Sequence, residues 1–322
     1  MIDLLRANGP FYKANLHCHT TLSDGRMTAA QVKDWYRAHG YSIVAFTDHS
    51  KYVFHGELES DDFLPVPGVE AAFVCRDANY PSLKYRLCHL NFFARDPATA
   101  VYVPEEPVYD PGAINRYIAR MKRGGWLCTL NHPGWSLQST EEILSLTGFE
   151  GFEVYNHTSH ALDNNGDGQV HYAQFLNSGR RAWAVATDDN HGGFDPDGSI
   201  GAEDDTLGGF VMISMPELSY SAFADSFEHG RFYASTGPII HRLAIDEEKD
   251  SIVLDCTPVK RVLVKGVHTR RAFRMVARGD DITHAEIPLA EIRAREPFFR
   301  LELATASMQR AYSQPWWFED GR

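Results

Sequence analysis

Up to about residue 230, short apolar runs alternate with stretches whose apolar positions recur every three or four residues. The first pattern predicts buried strands and the second predicts amphipathic helices. Strands are predicted over 13–17, 42–47, 66–74, 85–93, 126–130, 151–155 and 182–187. A helix over 28–39 starts at Thr28, puts Val32, Trp35 and Tyr36 on one face and stops at Gly40. A second over 112–123 aligns Ile114, Tyr117, Ile118 and Met121 before Gly124-Gly125. Ser139-Thr140-Glu141-Glu142 is a capping-box pattern. Two shorter helices are predicted over 170–178 and 219–229. This alternation predicts β–α units around a parallel sheet, and seven strands suffice to close a small barrel.

After Thr236-Gly237-Pro238 the rhythm changes. Short strands are predicted over 251–256, 260–266, 272–278, 284–289 and 298–304, with turn-like segments between them. Regular spacing of this kind predicts a small antiparallel β-sandwich. The expected domains are therefore 1–237 and 238–322.

The length of 322 residues allows such a division, and 43% hydrophobic content supplies a core. No run of 18 apolar residues exists, so a membrane-spanning helix is not expected. The opening MIDLLRANGP resembles no secretory leader, and a cytoplasmic protein is expected. The net charge is −12, with the acidic excess confined to 1–235. Duplex nucleic acid is thus an unsuitable partner, whereas cations suit the acidic part. Twelve of the 15 histidines lie there too. Five cysteines without CxxC spacing do not predict a disulfide framework. Cys75, Cys88 and Cys128 are read as core thiols.

The chemistry gathers near the strand ends. These carry His17-Cys18-His19 followed by Asp24, Thr47-Asp48-His49, Glu70, His89, Asn131-His132-Pro133 and Asp188-Asp189-Asn190-His191. Barrel enzymes assemble their sites at the C-terminal strand ends, so these distant residues can converge. Imidazole and carboxylate suit Zn, Mn or Fe(II). Strand alternation lets His17 and His19 grip one ion together, and likewise Asp189 and His191. Glu70 can bridge two ions. Two ions about 3.5–4 Å apart can hold a hydroxide between them. Cys18, between two ligand candidates, should point away by the same alternation and is rejected as a nucleophile.

The HCHTTLSDG and FTDHS stretches, with the ordered set that follows, resemble the PHP (polymerase and histidinol phosphatase) family of metal-dependent phosphoesterases over residues 12–235. The resemblance implies an α/β fold, a distorted TIM-like (β/α)7 barrel, here followed by the β-sandwich. It implies two or three divalent ions, Zn, Mn or Fe. One would sit on His17, His19, Glu70 and Asp189, and a second on Glu70, His89 and His132. A third would take Asp24, His49 and His191. Asp188 stands where the family often has Ser; spacing favours Asp189 as the ligand. The implied activity is hydrolysis of a small phosphorylated molecule or nucleotide by a metal-bridging hydroxide. Glu70, Asp189 and His191 carry the catalytic expectation. Competing readings are amide or lactone hydrolysis, and a metal-loaded glycan- or partner-binding protein.

Substrate contact is expected of Asn156, Lys51 and Arg26, with Glu153, Tyr155 and His55 also near. His157, His160 and His171 are read as solvated. The segment 163–174 copies half of a calcium loop, but Gln174 stands where a bidentate Glu is needed, and no entering helix is predicted. No GxSxG elbow, P-loop or dinucleotide fingerprint is present. Trp316 and Trp317 are expected to pack against the barrel.

Overall fold

The helices form where the sequence supplies caps. Thr28 Oγ1 accepts from the Gln31 amide while the Gln31 side chain reaches back, and Ser139 and Glu142 repeat this box. The computed structural model describes residues 1–75, 86–106, 108–192, 205–268 and 271–320. In chain order the elements are β1 (Ile2–Asp3), β2 (Phe11–Asn15), α1 (Ala29–Ala38), β3 (Ile43–Phe46), β4 (Leu64–Cys75), β5 (Arg86–Ala94), α2 (Pro111–Arg123), β6 (Trp126–Leu130), α3 (Thr140–Ser145), β7 (Gly151–Asn156), α4 (His157–Asp163), α5 (Gln169–Asn177), β8 (Trp183–Thr187), β9 (Phe210–Ser214), α6 (Tyr220–Glu228) and β10 (Phe232–Ser235). They continue with β11 (Ile240–Asp246), β12 (Ser251–Val259), β13 (Arg261–Lys265), β14 (Phe273–Val276), β15 (Ile282–Pro288), α7 (Ala290–Arg295), β16 (Phe298–Ala304), β17 (Arg310–Tyr312) and β18 (Trp316–Trp317).

The chain is mixed α/β, with a large mixed sheet and a smaller antiparallel one. The large sheet runs β14-β13-β16-β17-β10-β9-β2-β3-β4-β5-β6-β7-β8, and β18 pairs with β16. The expected parallel sheet needs correction. β2, β3 and β4 are mutually parallel, as are β6, β7 and β8, but β5 runs antiparallel to both of its neighbours. A parallel return needs a helical crossover, and no helix was predicted between 74 and 85. That connection lies outside the described residues, as do Tyr85 of the predicted strand and Gly193 and Phe194 of a GGF segment. β9, absent from the sequence reading, runs antiparallel to β2. A continuous ladder closing β8 onto β2 is not seen among the described residues. Beyond their ends the chains do meet, through a parallel bridge between Cys18 and Asn190. The His19 amide donates to the Asn190 carbonyl at 3.0 Å and the Asp189 amide to the His17 carbonyl at 2.9 Å. This bridge lays the HCH and DDNH segments side by side.

The small sheet runs β1-β11-β12-β15, so the first residues of the chain pair with β11. Its Leu243, Ile245, Ile252 and Leu254 share a core with Val262, Val264, Leu301 and Leu303 of the facing strands. β17 in turn pairs with β10, which makes these strands continuous with the large sheet. Gln314 covers part of the β8 edge: its side-chain amide accepts from Ala184 N at 2.7 Å and donates to Ala184 O at 3.0 Å. Trp316 and Trp317 are buried, with Trp317 in the main core and Trp316 in the core between the sheets. No described helix is long and apolar enough to cross a membrane.

Candidate metal centre

Glu70, near the middle of β4, is fully buried, and five imidazoles surround it. Its Oε2 lies 2.8 Å from His49 Nδ1 and 3.5 Å from His19 Nε2. Its Oε1 lies 3.1 Å from His89 Nδ1, 3.2 Å from His17 Nε2 and 3.3 Å from His132 Nε2. Asp189 Oδ1 is 3.0 Å from His19 Nε2 and 3.1 Å from His17 Nε2. Further out, Asp24 faces His49 at 3.5 Å and His191 at 3.6 Å. Four groups have ligand atoms within 4.8 Å of one another and can each hold an ion. They are His17, His19 and Asp189; His17, Glu70 and His132; His49, Glu70 and His89; and His19, Asp24, His49 and His191. All nine residues singled out from the sequence are thus brought together. His49 reaches Glu70 as well as Asp24, a sharing that the sequence reading did not include.

Proximity alone does not make a metal site, because carboxylates and imidazoles also bond to each other. Here the bonding is incomplete. His17 Nε2, His19 Nε2, His49 Nδ1, His89 Nδ1, Glu70 Oε2 and Asp189 Oδ1 are buried, and although several lie 2.8–3.1 Å from one another, none has a partner in good hydrogen-bond alignment. Orphaned buried polar atoms are costly and rare. Six of them in one cluster have the donor chemistry and placement that a divalent cation satisfies. Two of the nine residues also sit on strained backbone, with φ of 24° at His132 and 58° at Asp189.

A network outside this cluster orients it. Glu153 on β7 is fully enclosed and accepts four bonds. These come from His17 Nδ1 at 2.8 Å, His132 N at 2.8 Å, Thr187 Oγ1 at 2.8 Å and Asn156 Nδ2 at 3.1 Å. A carboxylate on one ring nitrogen fixes the tautomer, so that the other nitrogen can ligate. Asn131 donates to Glu70 Oε1 at 2.8 Å. Asp48 ties the turn after His19 by accepting from Thr20 N and Oγ1 and from Ser23 N and Oγ. Asp205 Oδ2 accepts from His191 N and Gly192 N, both at 2.6 Å. Asp48, Glu153 and Asp205 were not assigned supporting parts from sequence, apart from the hydrogen-bonding alternative weighed for Glu153. Residue type at a strand end was the only available signal.

Asp188 points the other way. Its carboxylate accepts from Tyr36 Oη at 2.7 Å and from the amides of Leu207, Gly208 and Gly209 at 2.8, 2.8 and 2.7 Å. Gly209 is required there, since a Cβ would lie 2.2 Å from the Thr187 carbonyl oxygen. Burial pushes the Asp188 carboxyl up to about 7, against those donors. Within the cluster, burial drives His19 down to about 4. Burial opposes charge on His17 as well, but Asp189, Glu70 and Glu153 overcome it and raise its pKa. His49 follows the same pattern: burial is outweighed by Glu70 and Asp24, and it rises to about 9. Burial likewise works against ionised Glu70, yet His89, His17 and His49 hold its carboxyl well below the usual range.

The remaining expectations fare differently. Asn156 is fully buried and its amide is committed: Nδ2 donates to Asp189 Oδ2 at 3.0 Å as well as to Glu153, and Oδ1 caps α4 through Ser159 N. These bonds give it a positioning part. Lys51 is exposed, and its ammonium donates to the Leu22 carbonyl. Arg26 is exposed, with its backbone amide on the His191 carbonyl at 2.9 Å. His55 faces Glu57 at 3.2 Å. Cys18 is buried in a satellite core with Met27, Val32 and Tyr36, away from the cluster. His157 and His160 lie on α4, which was read as a loop; Asn156 supplies its N-cap and Asn164, at φ 58°, its end. A helix therefore does precede the calcium-like segment. Asp167 of that segment pairs with Arg310 at 3.1 Å, and α5 begins two residues later. Trp135, not singled out from sequence, stands against His132 and His89 with ring centroids 5.0 and 5.9 Å apart.

No protein-family model matches the chain, and no curated protein does. Among solved structures, the chain is similar to a two-domain protein from Bacteroides vulgatus containing a predicted PHP-like metal-dependent phosphoesterase. The identity is 14%, the TM-score 0.46, and 98% of each chain is covered. It is also similar to a protein from Bifidobacterium adolescentis described as a metal-dependent phosphoesterase, at 17% identity and TM-score 0.42, over 60% of this chain and 93% of that one. A third is an amidohydrolase from Chromobacterium violaceum with bound sulfate and no metal, at 17% identity and TM-score 0.40, over 58% and 89% of the two chains.

Proposed function

We propose that this chain is a metal-dependent hydrolase that cleaves phosphate esters of a small molecule or nucleotide. The observation that carries the reading is the set of six orphaned buried nitrogen and oxygen atoms converging around Glu70 and Asp189. His17, His19 and Asp189 would hold one ion. Glu70, with His89 and His132, would hold another, and Asp24, His49 and His191 a third. Divalent ions in such a cage supply Lewis acidity, neutralising phosphoryl oxygens and lowering the pKa of the attacking water.

The chain's own residues keep that cage in register. Glu153 holds the His17 ring by Nδ1, leaving Nε2 directed at Glu70 and Asp189. Asn156 fixes the second oxygen of Asp189, and Asn131 fixes one oxygen of Glu70. Both carboxylates are thereby held with their other oxygens toward the histidine ring nitrogens. His49, His191 and Asp24 are the more exposed members and form the side open to solvent.

The test is elemental analysis of the purified chain, followed by assays on aryl phosphates, nucleotides, carboxylic esters and lactones. Bound divalent metal and chelator-sensitive phosphoesterase activity are expected, with loss of at least a hundredfold in His132→Ala and Asp189→Ala. Hydrolysis that survives metal removal, or activity confined to the carbonyl substrates, would overturn the proposal.

A further inference from the structure

Away from the metal centre, β2 and β9 carry a second feature. Lys13 pairs across the ladder with Met212, and its ammonium lies 4.0 Å from the Tyr41 ring centroid and 4.5 Å from that of Phe210. These rings hold the cation by its charge alone. Among the described residues, no oxygen accepts a hydrogen bond from it. Burial lowers its pKa, and the one carboxylate whose field it feels is Asp188, already saturated by Tyr36 and three amides.

Lys13 also lines a pocket of about 420 Å³, with Phe210 and Met212 of β9 and with Gly237, Ile239 and Gln309 of the C-terminal part. That volume is in the range of small-molecule sites. Its walls set Phe210, Met212 and Ile239 beside the polar Ser42, Thr236 and Gln309, and Lys13 is the only charged residue among those lining it. In a chain of net charge −12, a cavity with a single cation and no acid is electrostatically distinctive. An ammonium beside both apolar and hydroxyl- or amide-bearing side chains suits a ligand with a negatively charged head on a small planar or aliphatic body.

We propose that this pocket binds a small amphipathic organic anion through Lys13, at a site separate from the metal centre. The carboxylate or phosphate head takes the ammonium donors while the body lies against Phe210 and Met212. The probes are phenylacetate, inorganic phosphate and benzylamine, titrated by calorimetry into the full metal-loaded chain, its Lys13→Met variant and its His132→Ala variant. Saturable 1:1 phenylacetate binding is expected, kept in His132→Ala and weakened at least tenfold in Lys13→Met. Gln309→Trp, a bulkier side chain at another lining residue, is expected to weaken it similarly should Lys13→Met fold poorly. Phosphate binding that needs Lys13 as strongly as phenylacetate does would assign recognition to the charged head alone and overturn the amphipathic part. Equal binding of benzylamine, or phenylacetate binding that survives both pocket variants, would overturn the proposal. Binding lost only in His132→Ala would do so too, by placing the anion on the metals. Failure here leaves the phosphoesterase reading untouched, since phosphoesterase turnover is measured separately.

Discussion

Replacing Glu153 by Gln keeps shape and removes one charge, which makes it a sharp probe of the metal centre. Glu153 is 1% exposed and accepts from four donors: two on Oε1, from His17 Nδ1 and Thr187, and two on Oε2, from His132 N and Asn156. A glutamine can place its oxygen on only one side. With the amide nitrogen in the Oε2 position, its protons confront the His132 and Asn156 donors. In the other orientation they confront His17 Nδ1 and force the proton onto Nε2, the atom needed for the metal. Either way at least one buried donor loses its acceptor, at a cost of about 1–3 kcal/mol. Loss of an orienting carboxylate of this kind typically weakens metal affinity or activity on the order of 10–100-fold. We therefore expect a folded variant whose affinity for its most tightly held ion, and whose kcat/KM, fall within that range. Affinity is read by competition with a chromogenic chelator, and folding by circular dichroism. Unchanged metal affinity and turnover in a folded Glu153→Gln chain would refute the reasoning, because the four bonds would then not be holding His17.

The cluster itself should respond to metal: at a free concentration near 100 times Kd, stability rises by about 2.7 kcal/mol, so a thermal shift on adding Zn or Mn after chelation is expected, and its absence counts against the site. Asp48→Asn should loosen the turn carrying Asp24 and reduce metal occupancy with little effect on the fold, as elemental analysis of the purified variant would show. Gly209→Ala should destabilise by roughly 1–3 kcal/mol in chemical denaturation, because its Cβ meets the Thr187 backbone and nothing there can yield. Burial opposes ionised Glu302, but Arg300 and Lys265 still hold its carboxyl below the usual range. A depressed folded-state value stabilises above the unfolded pKa and is lost as pH falls through the folded one, so Glu302→Gln should flatten the acid side of the stability–pH curve.

The sequence exposed the site more fully than the fold. The nine residues announced themselves by type, most at the end of an apolar run and Glu70 and His89 within one, and the pleat supplied the reason for His17 and His19 to act together. Orientation was harder to read. β5 looks like any buried strand in sequence, and the stretch before it has no hydrophobic period to betray its direction. β9 and β10 were passed over because each is short, and they and β11 all lie close to glycine or proline. α4 was passed over because its capping residue, Asn156, was given a different task. Support from Glu153, Asp48 and Asp205 depends on long-range register, as in the bond from Glu153 to His17, 136 positions away. Local pattern carries no such information.

What the fold must overcome at the centre explains its surroundings. Glu70 and Glu153 are both buried with little or no water, an arrangement that costs several kcal/mol per ion unless each charge is fully paired. Glu153 meets that requirement with four donors from the protein. Glu70 does not: Asn131 and His132 bond to its Oε1, while Oε2 meets only His49 and His19, out of hydrogen-bond alignment. The same contrast separates Asp188, held by four donors, from Asp189, whose Oδ1 meets only imidazole nitrogens. The chain thus gives Glu153 and Asp188 a donor at every oxygen, and leaves one oxygen each of Glu70 and Asp189, the two that face the centre, with imidazole nitrogens alone. A fold selected for stability alone would have no reason to divide neighbouring carboxylates in this way. A site that completes its coordination with cations does, because the same unsatisfied atoms become ligands when the ions arrive.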